Sequence, residues 1–288
     1  EDDLDHRYPY GKQSKQSHGM WYTKISGIWK TVWMESIEEQ AIASISIDTT
    51  CSQFSVSVQG GDVEKHITIE TPNGPYEATF TGTKFRWETD NPRLWSPEDP
   101  YLYSFTLSSG KDHIRSYFAL REIGIGTYEG HPVLTLNKKP YFFHGLLDQG
   151  YYQDGIFTPK DYADYATDIQ RVKELGFNTL RKHIKIEPLY FYYLCDKMGM
   201  IVFQDMVNNG PYSFLTDTAL PFVGINLGGI HGLMYTNAQK EAFIEQMNGT
   251  LDLLHNSPSV LYYTIFNEGW GQFQADRLYT IAKEKEPD

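Results

Sequence analysis

The sequence predicts a multidomain α and β protein, a β-sandwich followed by the first half of a (β/α)8 barrel. Short runs of β-formers recur between turn signals from about Ile42 to Ile123. From Tyr141 onward, apolar strands alternate with segments of helical periodicity, the pattern of a parallel sheet. Polar residues gather at the C-terminal ends of those strands, where a barrel builds its site. A short doubly wound sheet is the alternative.

The first 20 residues are polar and turn-rich and read as a loop or an unsupported arm. Gly27–Glu35 (GIWKTVWME) reads as a strand, because Ile28, Thr31 and Trp33 sit among β-formers. IASISID alternates strictly, with Ile42, Ser44, Ser46 and Asp48 opposite Ala43, Ile45 and Ile47. FSVSVQG, HITIE, YEATF, FRWET, LYSFTL and IRSYFAL follow as strands, parted by Gly60-Gly61, TPNGP, NP, SPEDP and SSGKD.

The pattern changes after Gly130. YFFHG (Tyr141–Gly145) is the first parallel strand expected. A helix follows, with Tyr162, Tyr165, Ile169, Val172 and Leu175 at helical spacing and Gly176 where a C-cap would fall. NTLRKH, a second helix ending at Gly199, MIVFQD (Met200–Asp205), a third helix and SVLYYTIFNEG complete four βα steps. The connection from Met206 to about Tyr235 exceeds the usual length, which marks a binding loop or disorder.

Composition narrows the function. The net charge is −12, from 25 Lys+Arg against 37 Asp+Glu, and such a field repels a phosphate backbone, so nucleic acid is not an expected partner. No apolar stretch is long enough to cross a membrane, and the N-terminus lacks the apolar run of a signal peptide. Cys51 and Cys195 lie far apart, which argues against a disulfide framework and favours a reducing, cytoplasmic compartment. Aromatic residues make up 15% of the chain; each ring offers a flat face to a sugar, although most rings fill cores.

The most informative string is TIFNEGWG, Thr264–Gly271. It follows a buried strand, so Glu268 is expected at the strand's C-terminal mouth, where burial beside Trp270 would keep the carboxyl protonated and able to donate to a leaving oxygen. The plainer reading is a helix cap or a solvated acid. Asp148 and Gln149, Arg181 and His183, and Gln204 and Asp205 occupy equivalent strand ends. Arg181 reads equally as a structural ion pair or a sugar contact, and His183 as a hydrogen-bonded histidine rather than a ligand. No second His or Cys stands at zinc spacing, no Gly-rich phosphate turn follows the first strand, and no cofactor is expected. Cys195, among Tyr192, Tyr193 and Leu194, reads as core, and no serine sits in a nucleophile elbow.

Together these segments resemble glycoside hydrolase family 2, the β-galactosidase, β-glucuronidase and β-mannosidase group. SGIWKTVWME is similar to the segment closing that family's N-terminal jelly roll, and LWSPEDPYLYSFTL and SYFALREIGI to the end of its immunoglobulin-like domain. LNKKPYFFHGLLDQGYY, ELGFNTLRKHIKIEP, YYLCDKMGMIVFQDM and NSPSVLYYTIFNEGW resemble the entry and first strands of its TIM barrel. The resemblance implies three regions: 1–38, the tail of a sugar-binding jelly roll; 39–123, an immunoglobulin-like β-sandwich; and 124–288, the N-terminal half of a catalytic barrel. It makes Glu268 the acid/base and Asn267 a partner of the sugar 2-hydroxyl, with Asp148, Asp205, Arg181 and Trp270 around the substrate. Strand two departs from the best-known β-galactosidases, reading RKHIKIEP where they carry serine-histidine-tyrosine after the arginine. The family places its nucleophile after the seventh strand, so these 288 residues alone are expected to be inactive. The whole is then expected to be a retaining, β-galactosidase-like exo-β-glycosidase acting on carbohydrate. The alternatives are a non-catalytic sugar-binding module with a decayed barrel, and an inverting enzyme that uses Asp148 or Asp205. A half barrel also leaves its fourth strand with an open edge, which further chain or a second copy in a homo-oligomer would cover.

Overall fold

The computed structural model describes residues 7–62, 64–225 and 235–287. Near the N-terminus, β1 (Gln13–Ser14) and β2 (Tyr22–Thr23) form a short parallel pair. Two antiparallel sheets then face each other. One contains β3 (Ile42–Thr49), β4 (Gln53–Gly60) and β7 (Lys84–Glu88); the other orders β6 (Gly74–Thr81), β5 (Glu64–Thr71), β8 (Tyr103–Ser109) and β9 (Asp112–Phe118). The period-2 alternation of β4 and β8 aims Phe54, Val56 and Val58 at Phe105 and Leu107, and Phe54 stacks on Phe118 at 3.8 Å. Each such fully buried side chain contributes about 1.5–3 kcal/mol. All seven runs expected between Ile42 and Leu120 are strands here.

Gly27–Glu35 differs from expectation. It forms no strand, and Ile28, Val32, Trp33 and Met34 are exposed. A strand exists only through a neighbour's hydrogen bonds, and among the described residues none lies beside this segment. A further sheet, not foreseen from the sequence, lies between the halves in the chain: β10 (Ile123–Tyr128), β11 (His131–Leu136) and β12 (Lys139–Pro140).

The second half holds a parallel sheet of β13 (Gly145–Asp148), β14 (Thr179–Lys182), β15 (Ile201–Asp205) and β16 (Val260–Thr264). Strand order follows chain order without the reversal of a doubly wound sheet. Helices α1 (Ala163–Glu174), α2 (Leu189–Met198), α3 (Asn237–Leu254) and α4 (Ala275–Lys285) alternate with the strands. Tyr165 and Ile169 of α1 and Phe191 and Leu194 of α2 pack on Leu180, Val202 and Val260 of the sheet, and Cys195 is buried among them. A capping box closes the start of α3: Thr236 and Gln239 each accept from the other's backbone N–H. Gly199 ends α2 with φ +71, where a Cβ would meet Pro97 O at 2.7 Å.

The first parallel strand begins at Gly145, four residues later than the aromatic run suggests. Tyr141 and Phe143 instead pack beneath the sheet against the cluster of Trp95, Ile201 and Leu261. Apolarity there reflects burial rather than ladder pairing. Within the long connection, the described residues include a π-helical turn, Leu215–Ala219, and one helical turn, Leu220–Phe222; residues 226–234 lie outside the described set.

The two halves meet at Asp196, which is fully buried. Its carboxylate accepts from Ser259 N at 2.8 Å and from Tyr117 OH at 2.7 Å, and its carbonyl accepts from Trp95 Nε1 at 2.8 Å. Burial pushes the Asp196 carboxyl up to about 6, against the downward pull of Ser259, Tyr117 and Arg121. The folded value exceeds the unfolded one. The contribution to stability is therefore complete below about pH 4 and lost as pH rises through about 6, on the order of 3 kcal/mol. Asp196→Asn is expected to flatten the dependence of folding free energy on pH across that window, read by denaturant titration. An unchanged slope would refute the assignment.

Candidate active site

The C-terminal ends of the four parallel strands carry a connected polar network. Arg181, on β14, donates from Nε to Asp205 Oδ1 at 3.0 Å and from Nη2 to Asn267 Oδ1 at 2.6 Å. His183 Nδ1 lies 2.9 Å from Asp205 Oδ2. The parallel register explains the meeting: Arg181 pairs with Phe203 and Lys182 with Gln204, so the ends of β14 and β15 are level. Arg181 holds the Asn267 side-chain oxygen as an acceptor, which leaves the amide NH2 as the donor it can offer a ligand.

Asp205 is completely buried, with one oxygen engaged by Arg181 and the other by His183. An anion at a buried strand end persists only when paired. Gln204 is also buried, held by Tyr192 OH at 2.6 Å and donating to the Lys185 carbonyl at 2.9 Å. Asp148 keeps a side-chain exposure of 26%. It accepts from Lys182 Nζ at 3.0 Å and from Gly150 N at 2.9 Å.

Two expectations for the loop after β16 are corrected. Glu268 is exposed, so the burial expected to keep it protonated is not present. Trp270 is 2% exposed and offers no open face to a substrate. Its indole donates to Gly210 O at 3.1 Å and sits edge-on to Trp21, Tyr10 and Tyr212 at 5.3, 5.6 and 5.9 Å. A large ring with one donor is buried wherever its N–H finds a partner, and here it does.

The strand-end reading missed a buried ionic cluster. Lys182 Nζ reaches Glu187 Oε1 at 2.5 Å as well as Asp148, Lys185 pairs with Glu187 at 2.8 Å, and Tyr165 OH donates to Glu187 Oε2 at 2.7 Å. Lys185 also donates to the carbonyls of Gly150 and Phe157. Burial pulls the Lys185 ammonium down to about 8, with Glu187 opposing. For Lys182 burial also pulls down, but Asp148 and Glu187 together outweigh it and the net direction is up. The signal was visible in RKHIKIEP, where four charged side chains, Arg181, Lys182, Lys185 and Glu187, stand in a largely buried stretch.

The N-terminal arm was also misread. Tyr10 N and Gly11 N both donate to Asn208 O at 3.1 Å, Tyr10 OH donates to Gly210 O at 2.8 Å, and Tyr22 stacks on Tyr151 at 3.9 Å. The arm is docked over the strand ends, and it brings Lys12 into the neighbourhood of Glu268. Aromatic density in YPYG and MWYT was the available signal. Among the described residues, no group of three or more His, Cys, Asp and Glu could hold a metal, and no helix is long and apolar enough to cross a membrane.

Polar side chains converging on the C-terminal ends of successive parallel strands, behind a β-sandwich, define an α/β enzyme-type site. Residues 28–121 match the family model described as glycosyl hydrolases family 2, and residues 130–288 match that described as glycosyl hydrolases family 2, TIM barrel domain. The chain belongs to glycosyl hydrolase family 2. It is 27% identical over 207 residues to a β-galactosidase of Leuconostoc mesenteroides, covering 68% of this chain and 18% of that one. It is 25% identical over 209 residues to a β-glucuronidase of Bacteroides fragilis, covering 68% and 27%. The chain thus spans well under a third of the length of these relatives. In fold it is similar to a solved β-D-glucuronidase of Dictyoglomus thermophilum, with TM-score 0.69 and 18% identity over 86% of this chain and 43% of that one.

Proposed function

We propose that this chain is part of a retaining, β-galactosidase-like exo-β-glycosidase in which Glu268 is the general acid/base. The observation that carries the reading is Asn267-Glu268 at the mouth of β16, with Asn267 locked to Arg181 and through it to Asp205 and His183, in a family 2 chain. Residues 1–38 are the tail of a jelly roll, 39–123 an immunoglobulin-like sandwich and 124–288 the first half of a (β/α)8 barrel.

In this reading Glu268 protonates the departing glycosidic oxygen and later takes a proton from water, while Asn267 donates to the sugar 2-hydroxyl. Arg181 fixes Asn267, Asp205 and His183 fix Arg181, and Asp148, held by Lys182, faces the substrate. Asp205 has both oxygens engaged and Asp148 is held by Lys182 and Gly150 N, which disfavours either as nucleophile or base. The second carboxylate of the pair then comes from sequence outside these 288 residues. β16 has no strand on its outer side among the described residues, and a largely apolar groove of about 670 Å³ runs along it, lined by Phe143, Phe203, Tyr262 and Tyr279. Further barrel strands, or a second copy in a homo-oligomer, cover that edge.

The test is turnover of 4-nitrophenyl β-galactoside, β-glucuronide and β-mannoside by the full-length protein. Hydrolysis with retention supports the reading. Sugar binding without turnover would instead identify a non-catalytic module.

A further inference from the structure

The cations described at the strand ends, Lys12 apart, have a carboxylate of their own. Arg181 holds Asp205, Lys182 holds Asp148 and Glu187, and Lys185 holds Glu187. Lys12 is the exception. It is 5% exposed, yet it pairs with no carboxylate among the described residues, and the acceptor its ammonium reaches is the thioether of Met20, at 3.5 Å. The ring centroids of Trp21 and Trp270 lie 5.5 and 5.8 Å from Nζ. Ring faces and a thioether compensate an ammonium only in part for the water it has lost.

The backbone around Lys12 is built to keep it there. Gly11 N donates to Asn208 O, and Tyr22 N donates to the Lys12 carbonyl at 2.8 Å. Gly11 adopts φ +64, and a Cβ on it would lie 2.6 Å from Ile184 O, so the arm approaches the end of β14 as closely as a residue without a side chain permits. The Trp270 ring, 5.8 Å from Nζ, belongs to the loop that carries Glu268, and the field of Glu268 favours the charged ammonium against the larger effect of burial. Lys12 therefore lies beside the loop that carries the proposed acid/base.

We propose that Lys12 is a substrate-binding residue of this site, its ammonium hydrogen-bonding an oxygen of the sugar unit on which Glu268 acts. The proposal rests on the glycosidase reading and extends it to the segment preceding the sandwich. A sugar oxygen supplies the acceptor that the protein itself withholds, either a ring hydroxyl or the carboxylate of a uronic acid. Trp21 and Trp270 form the apolar walls that make this hydrogen bond strong.

The experiment compares full-length wild type, Lys12→Met and Lys12→Arg on 4-nitrophenyl β-galactoside and β-glucuronide. Binding of free galactose and glucuronate is measured in parallel by calorimetry. Lys12→Met is expected to raise KM and the sugar Kd by about 10- to 100-fold with kcat changed by less than about threefold, and arginine to restore most of the loss. The sugar most affected identifies the oxygen. If wild type binds sugar and Lys12→Met binds it equally well, the inference is wrong and the glycosidase reading stands. If both variants lose binding only together with a fall in melting temperature, Lys12 is a packing residue and the inference is again wrong. If wild type binds sugar without turning it over and Lys12→Met weakens that binding, Lys12 keeps its role while the catalytic reading falls. If wild type neither binds nor cleaves either sugar, both fall.

Discussion

With Glu268 as the proposed general acid, Glu268→Gln in the full-length protein is expected to lower kcat on alkyl glycosides by about 10²- to 10⁴-fold, the usual contribution of a positioned general acid. The amide has the size of the carboxyl but no proton to give the departing oxygen. A 2,4-dinitrophenyl glycoside, whose leaving group departs unprotonated, still forms the glycosyl-enzyme, and its turnover is then limited by the unassisted attack of water. Added azide, which needs no general base, restores that second step and yields the glycosyl azide. The geometry makes the variant clean, because Glu268 is exposed and supports no packing. Exposed positions of this kind change stability by about 0.5 kcal/mol or less. Wild-type kcat on alkyl glycosides in Glu268→Gln would remove the residue from the mechanism.

Lys182→Met produces the largest loss of stability. The ammonium is completely buried between Asp148 and Glu187, at 3.0 and 2.5 Å. Methionine fills most of the volume and removes the charge, so Asp148 and Glu187 lose the ammonium they share. Breaking a buried pair from one side costs about 3–5 kcal/mol. A domain of this size then melts roughly 6–20 °C lower. Asp148 loses its tether at the same time, so KM rises in whatever folded protein remains. A fall of less than about 2 °C in scanning calorimetry would show that the cluster is not holding the parallel-sheet half together.

The strands of the sandwich were legible because their code is local. Alternation in IASISID and FSVSVQG specifies a half-buried strand, and Gly60-Gly61 and SSGKD specify where it turns. The parallel strands were legible as apolar runs but with less exact limits. Tyr141 and Phe143 are apolar because they pack against the cluster beneath the sheet, while Phe142 between them is exposed, and only the ladder to Thr179 marks where pairing starts. Gly27–Glu35 shows the converse, β-forming residues without a partner strand.

The strand-end positions Asp148, Arg181 and Asp205 follow from the βα count alone, and the structure brings Arg181, Asp205 and Asn267 together. What the count could not show was which groups are already engaged. The saturation of Asp205 by Arg181 and His183, and the insertion of Trp270 beneath the arm, depend on contacts between residues up to 260 positions apart. No local pattern encodes those. The same limit hid Lys12, which by sequence belongs to a polar tail and by position belongs to the strand ends.

That arm also constrains the order in which the molecule can assemble. Tyr10 meets Gly210 across 200 positions, and Trp21 meets Trp270 across a still longer span. A ribosome makes the arm before its docking surface, with the whole sandwich made in between. At roughly 5–20 residues per second, the arm waits on the order of 10–50 seconds with Tyr10, Trp21 and Tyr22 uncovered. The sandwich can close during that interval from neighbouring hairpins alone, and the site cannot. Completion of the mouth of the parallel sheet is therefore a late, long-range event in the life of each new chain, and the arm is made well before it can find its place.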